Sequence, residues 1–143
     1  MPFRHALVLA AAVLPFAMAW AQTKPPQSEG ERLFVEGTAL FRASGSARDP
    51  HAGLRKLLAA AELRYEHAPY GLCIALSAEP EVVDLVESYA WCELAARAQG
   101  RFAPAAKNRA TEVLGRIAVH GGAERVAEAK ARAAELARKH GAA

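Results

Sequence analysis

The feature that most constrains the fold is an internal repeat with a period of 35 residues. Sliding the sequence against itself by this period superposes residues of the same type in four places. These are Asp49 on Asp84, Ala60-Ala61 on Ala95-Ala96, Ala68-Pro69 on Ala103-Pro104, and Ala75 on Ala110. Such a period is typical of helix–turn–helix units that bury their apolar sides against neighbouring units. The repeat predicts a stack of helix pairs; the alternative is chance similarity in a chain with 35 alanines.

Composition and periodicity both favour an all-α fold. Alanine has the highest helix propensity and suits strands poorly, and aromatic residues make up 7% of the chain. Apolar residues recur at helical spacing, as Leu54, Leu57, Leu58 and Ala61 do, and prolines stand where helices should begin. The predicted helices cover about 30–43, 50–64, 68–78, 84–99, 103–119 and 123–139.

Taken in pairs, these helices predict a short α-solenoid of three antiparallel helix pairs. The helical domain is predicted at 29–140, with repeat units at about 29–66, 67–101 and 102–140. The last unit is rich in charge and resembles a terminal cap. A chain of 143 residues has no room for a second domain of this kind.

The N-terminal segment is typical of a secretory signal peptide. Arg4 supplies a positive start, an apolar run extends from Ala6 to Met18, and Ala19 and Ala21 are the small residues that signal peptidase accepts. We predict cleavage after Ala21 and a flexible arm at 22–28; an uncleaved anchor is the alternative. The mature protein is expected in the periplasm or outside the cell, without stable membrane insertion.

The predicted export determines which redox state we expect for the two cysteines. In an oxidising compartment Cys73 and Cys92 are available for a disulfide, and two buried free thiols are the alternative. Their spacing matches neither a metal signature nor a C-x-x-C redox pair. Cys92 lies inside a predicted helix with no histidine close to it in sequence, which disfavours a catalytic thiol.

Charge and motifs argue against several functional classes. The 18 Lys and Arg residues are interspersed with 15 Asp and Glu residues, so the net charge of +3 does not indicate nucleic-acid binding. The sequence has no Gly-rich phosphate loop, no G-x-S-x-G and no H-E-x-x-H. Its histidines are scattered singly, so they do not form the cluster of ligands that a metal site needs. We therefore predict no metal, no cofactor and no catalytic residue.

A family resemblance comes from the segment Val86-Glu-Ser-Tyr-Ala-Trp-Cys-Glu-Leu-Ala-Ala96 and the turn after it. This segment resembles the second helix and exit turn of a Sel-one-like repeat, a bacterial relative of the tetratricopeptide repeat. The matching residues are Asp84, Trp91, Ala95, Ala96 and Gly100, with Asp49, Ala60 and Ala61 as a weaker match one period earlier. The likeness covers about 49–106 and departs from the family at Tyr65 and Cys73, where glycine is expected. It implies a tetratricopeptide-like superhelix that serves as an exported scaffold or adaptor.

The predicted function is the binding of a protein or peptide in a groove of the solenoid. Tyr70 and Lys107 are predicted to lie on this groove, because both belong to the first helix of a pair. Trp91 is predicted to be a core residue rather than a ligand platform, because its position packs neighbouring helices in such a stack. Two alternatives stay open: a small envelope enzyme such as a hydrolase, and a permanent subunit of a larger envelope complex.

Overall fold

The computed structural model describes residues 27–141, which form five α-helices and one 3₁₀ turn. The helices are α1 (Glu29–Arg42), α2 (Pro50–Glu62), α3 (Ala68–Ala78), α4 (Leu85–Arg97) and α5 (Ala103–Lys139), and the 3₁₀ turn is Gly45–Ala47. No strand occurs within residues 27–141, so the prediction of an all-α chain is confirmed. The predicted signal peptide and residues 22–26 of the predicted arm lie outside the described residues.

Three helices begin at side-chain caps. The Ser28 hydroxyl accepts a hydrogen bond from the N–H of Glu31 at 3.1 Å in the first turn of α1. The carboxylates of Asp49 and Asp84 accept from the third residue of α2 and of α4, at 2.9 and 3.0 Å. Each bond satisfies an amide group that a helix leaves unpaired in its first turn. Asp49 and Asp84 therefore occupy equivalent positions in the backbone.

The helix α5 is interrupted at a single residue. Gly122 has a φ of 64° and a ψ of −164°, a conformation that only glycine adopts readily, whereas its neighbours are helical. We call residues 103–121 the first arm of α5 and residues 123–139 its second arm. The interruption falls in the His120-Gly-Gly segment, where the sequence predicted a break between two helices.

The connections that follow α2 and α4 both turn through a left-handed residue. Arg64 has a φ of 57° and Gln99, 35 residues later, has a φ of 52°. The next helices then begin alike, with His67 and Phe102 in helical conformation before an Ala-Pro start. Since the left-handed position is Gln99, the predicted turn glycine, Gly100, is not required by backbone geometry.

Glycines bring α1 and α2 close together. A Cβ atom on Gly37 would lie 3.0 Å from the carbonyl oxygen of Gly53, and a Cβ atom on Gly53 would lie 2.8 Å from the ring of Phe41. Near the start of α1, Gly30 packs beside Tyr65, which follows the end of α2. The two helices are therefore antiparallel, and glycine is needed where their backbones approach most closely.

A disulfide between Cys73 and Cys92 joins α3 to α4, with the Cα atoms 4.8 Å apart. Both cysteines are completely buried. The buried hydroxyl of Ser88 donates to the carbonyl oxygen of Cys73 at 2.7 Å, which satisfies a polar group inside the core. Of the two states that the sequence left open, the structure has the disulfide.

Both arms of α5 contribute to the core around α4. The first arm supplies Ala110, Val113 and Ile117, and the second arm supplies Ala129, Ala133 and Leu136. The second arm runs parallel to α4, because Arg132 pairs with Glu87 near the start of α4 and His140 contacts Trp91 one turn further along. The chain thus reverses direction at Gly122 and returns along α4.

Candidate functional site

A groove of about 420 Å³ lies between α2 and α4, and the α3–α4 connection contributes to its lining. We call it the α2–α4 groove. Its lining residues are His51, Leu54 and Leu58 of α2, Leu76 of α3, residues 80–84 of the connection, and Glu87 and Trp91 of α4. The groove therefore lies between the helix pairs α1–α2 and α3–α4.

The α2–α4 groove exposes apolar side chains. Leu58 is 38% exposed and Val83 is 49% exposed, whereas Trp91 in the same lining is only 3% exposed. Covering apolar surface is worth about 25 cal/mol per Å². Because Leu58 and Val83 share one concave surface, an apolar side chain placed between them would be shielded from water on several sides.

Of the three acidic residues that line the groove, Glu81 and Glu87 are paired with arginines, and Asp84 caps α4. The Arg48 guanidinium contacts the Glu79 carboxylate at 2.6 Å and the Glu81 carboxylate at 2.5 Å. The hydrogen bond from Arg48 lowers the pKa of Glu81 below its usual value. On α4, Glu87 pairs with Arg132 at 2.5 Å. A molecule placed in the groove would therefore make mainly apolar contacts.

Trp91 lies where the groove meets the second arm of α5. Its indole ring contacts the imidazole of His140, with the ring centroids 5.3 Å apart. The Trp91 Nε1 and the His140 Nε2 are buried, and neither has a hydrogen-bond partner within residues 27–141. The burial of Trp91 agrees with a packing role, and its position connects the groove to the end of the chain.

The structure places the two predicted surface residues away from the α2–α4 groove. Tyr70 is half-buried and stacks on Phe102, with ring centroids 4.8 Å apart and ring planes inclined by 13°. Lys107 is exposed on the first arm of α5. Neither Tyr70 nor Lys107 lines the groove, so a molecule bound in the groove would contact neither residue.

Tyr70 belongs to a row of aromatic rings that the sequence reasoning missed. The row consists of Phe34, Tyr65, His67, Phe102 and Tyr70, and its successive ring centroids lie 5.2, 5.2, 5.1 and 4.8 Å apart. It links α1 and α3 to the connections before α3 and α5. One sequence feature could have indicated this row: an aromatic ring, His67 or Phe102, directly precedes each Ala-Pro helix start.

The residues of the family resemblance occupy structural positions. Ala60, Ala61 and Ala95 are buried, Ala96 is half-buried and Gly100 is exposed. A Cβ atom on Gly100 would meet nothing within 4 Å. None of these five residues lines the α2–α4 groove. Of the other residues that match the family, Asp84 and Trp91 do line it.

Comparison with protein-family models, with curated proteins and with solved structures finds no match for this chain. Within residues 27–141, no helix combines the length and apolarity needed to cross a bilayer. The same residues contain no group of three or more His, Cys, Asp or Glu side chains placed to hold a metal ion.

Proposed function

We propose that this chain is an exported, non-enzymatic scaffold or adaptor that binds an apolar segment of another protein in the α2–α4 groove. The observation that carries the proposal is the concave apolar surface between the two helix pairs, with Leu58 and Val83 partly exposed on it. A protein gains free energy when a partner covers such a surface. Because Glu81 and Glu87 of the lining are already paired with arginines, the partner segment is apolar rather than strongly charged.

Equivalent backbone geometry supports a short α-solenoid of the Sel-one-like type. Asp49 and Asp84 cap α2 and α4 in the same way, and Arg64 and Gln99 turn the chain after these helices with similar φ values. Each of these pairs is separated by 35 residues. We assign residues 29–66, 67–101 and 102–140 to three units of this solenoid.

The buried disulfide supports export. A bond between Cys73 and Cys92 forms and persists in an oxidising compartment, such as the bacterial periplasm or the exterior of the cell. We propose that residues 1–21 direct export and are removed after Ala21. The protein then works in the periplasm or as a secreted protein.

Site-specific photo-crosslinking tests the binding proposal in the producing cell. A photoreactive side chain at Leu58 should give a covalent adduct with a partner, because Leu58 lines the groove. The same side chain at Val119, which is 81% exposed on α5 and does not line the groove, is the matched control. The adduct from Leu58 should disappear when Val83→Glu places a charge in the groove.

Three results would contradict the proposal. One is the absence of any adduct from Leu58. Another is an adduct of the same mass and yield from Val119. The third is an adduct from Leu58 that is unchanged by Val83→Glu, because a charge in the groove must weaken an apolar contact.

A further inference from the structure

The second arm of α5 is attached to the rest of the fold through one non-helical residue. Gly122 alone departs from helical geometry between Ala103 and Lys139. If Gly122 took helical angles, α5 would become one straight helix of about 55 Å, since each residue adds about 1.5 Å. The second arm would then point away from α4.

The second arm packs on α4 through a mostly apolar face of its own. The arm buries Ala129, Ala133, Leu136 and Ala137. At its end, His140 contacts the nearly completely buried ring of Trp91. A straight α5 would expose all of this surface together with the part of α4 beneath it.

Polar contacts fix the register of the second arm. Arg132 pairs with Glu87 of α4 at 2.5 Å, and Lys139 pairs with Glu62 of α2 at 2.6 Å. In addition, Arg64 donates to the carbonyl oxygen of His140 at 2.7 Å. These contacts link the arm to elements that precede Gly122, so an identical arm from another molecule would satisfy every one of them.

We propose that the second arm of α5 exchanges between two copies of this chain, so that each arm packs on α2 and α4 of the other copy. The partner is a second copy because the exposed face and the freed arm are complementary in the same molecule. A short hinge between an arm and its binding face is the feature that permits such swapping. Closure within one chain is favoured at low protein concentration, because the tether keeps the arm at a high effective concentration.

Complementary charge variants test this exchange. In the single variant Glu87→Arg, the closed chain places two arginines together; in Arg132→Glu, it places two glutamates together. When both variants are present, exchange places Arg132 of one chain beside Glu87 of the other, and the reversed pair forms at the second site. Both ion pairs are then restored, but only in the exchanged dimer.

The two variants should be produced in the same exporting bacterial cell, each with a different affinity tag. Purification through one tag should recover the other chain in equal amount, and light scattering should give twice the mass of the monomer. The double variant Glu87→Arg/Arg132→Glu is the control, because it restores the pair within one chain and should have the same mass as the unaltered protein at the same concentration. A co-produced pair that stays monomeric overturns the proposal.

Gly122→Ala provides a second test that does not alter the charges. Alanine disfavours a φ of 64° and favours a helix, so this variant should shift from monomer toward dimer at a given concentration. Gly115→Ala is the matched control on the first arm, where a Cβ atom would meet nothing within 4 Å, and should leave the mass unchanged. The proposal requires a dimer in both tests. A monomeric Gly122→Ala variant, or a dimer formed equally by Gly115→Ala, overturns it.

Discussion

The imidazole of His140 packs edge-on against the indole of Trp91, with 5.3 Å between the ring centroids. Burial lowers the pKa of His140 below its usual value, and the nearby carboxylate of Glu62 acts in the opposite direction. A histidine with a lowered pKa in the folded state binds a proton more readily after unfolding. The free energy of unfolding therefore falls as the pH drops below about 6.5.

Replacing His140 should flatten this pH dependence. The unaltered protein should lose stability between about pH 6.5 and the lower pKa of the folded state, and His140→Gln should lose less over the same interval. Urea denaturation followed by circular dichroism measures the difference. His120→Gln, at an exposed position of α5, is the control and should keep the slope of the unaltered protein. An equal slope in His140→Gln would contradict the assignment.

A separate loss of stability is expected at lower pH. Hydrogen bonds from Arg48 and from Lys139 lower the pKa values of Glu81 and of Glu62. The stabilisation from these pairs is present above about pH 4.5 and disappears as the carboxylates take up protons. This loss begins below about pH 4.5 and that from His140 begins below about pH 6.5, so denaturation curves for the unaltered protein and for His140→Gln distinguish the two effects.

Removing the disulfide should lower the free energy of unfolding. The double variant Cys73→Ala/Cys92→Ala should lose about 2–4 kcal/mol in free energy of unfolding, because the bond restricts the unfolded chain. Circular dichroism with urea measures this loss. An unchanged free energy of unfolding would show that the bond contributes nothing to stability.

The burial of Cys73 and Cys92 also predicts how the bond is reduced. Both residues are 0% exposed, so a reductant reaches the sulfur atoms only when α3 and α4 separate. Labelling with an alkylating agent and a reductant should therefore be slow in buffer and fast in denaturant. Two labels acquired rapidly in buffer with reductant, or any label acquired without reductant in denaturant, would contradict this picture.

Two glycine substitutions should change stability in opposite directions. Gly37→Ala should cost about 1–3 kcal/mol, because its Cβ atom would meet the carbonyl oxygen of Gly53 at 3.0 Å and push α1 from α2. Gly115→Ala should add up to about 1 kcal/mol, since its site is open and alanine favours a helix. Thermal and urea denaturation of the two variants check the signs. A stabilising Gly37→Ala would mean that α1 and α2 are not closely packed there.

The left-handed conformation of Gln99 predicts a gain of stability from glycine. Gln99→Gly should raise the free energy of unfolding by about 0.5–1 kcal/mol, because glycine adopts a φ of 52° without a Cβ clash. Gln99→Ala removes the same side chain but keeps the Cβ atom, so it should give no such gain. Equal effects of the two substitutions would show that backbone strain is not the cause.

Local signals in the sequence were sufficient to place the helices. The Asp-Pro start of α2 and the Ala-Pro starts of α3 and α5 were predicted correctly, because caps and N-terminal prolines act within one turn of helix. The ends were less accurate: α2 and α4 stop at Glu62 and Arg97, two residues before the predicted positions. Their left-handed residues are not glycines, so the sequence did not mark them.

The lining of the groove and the full aromatic row could not be predicted from the sequence, although the rings of His67 and Phe102 before the Ala-Pro starts were a partial signal for the row. Leu58 and Val83 are on different helix pairs, and nothing in the local pattern says that they line one concavity. Tyr70 was predicted on the groove because it belongs to the first helix of a pair, but Phe102 at the next connection stacks on its ring. Both features depend on how one helix pair is placed against another, which single-sequence periodicity does not specify.

Trp91 lines the α2–α4 groove and also touches His140 beyond the second arm. If residues 1–21 are removed, Trp91 is the sole tryptophan of the mature chain, since the other is Trp20. Its emission spectrum would then respond to a molecule bound beside Leu58 and, in the exchange that we propose, to the separation of the second arm from α4. A ligand whose binding separates His140 from Trp91 would favour the chain with its second arm released, and by thermodynamic reciprocity release of the arm would favour that ligand by the same factor.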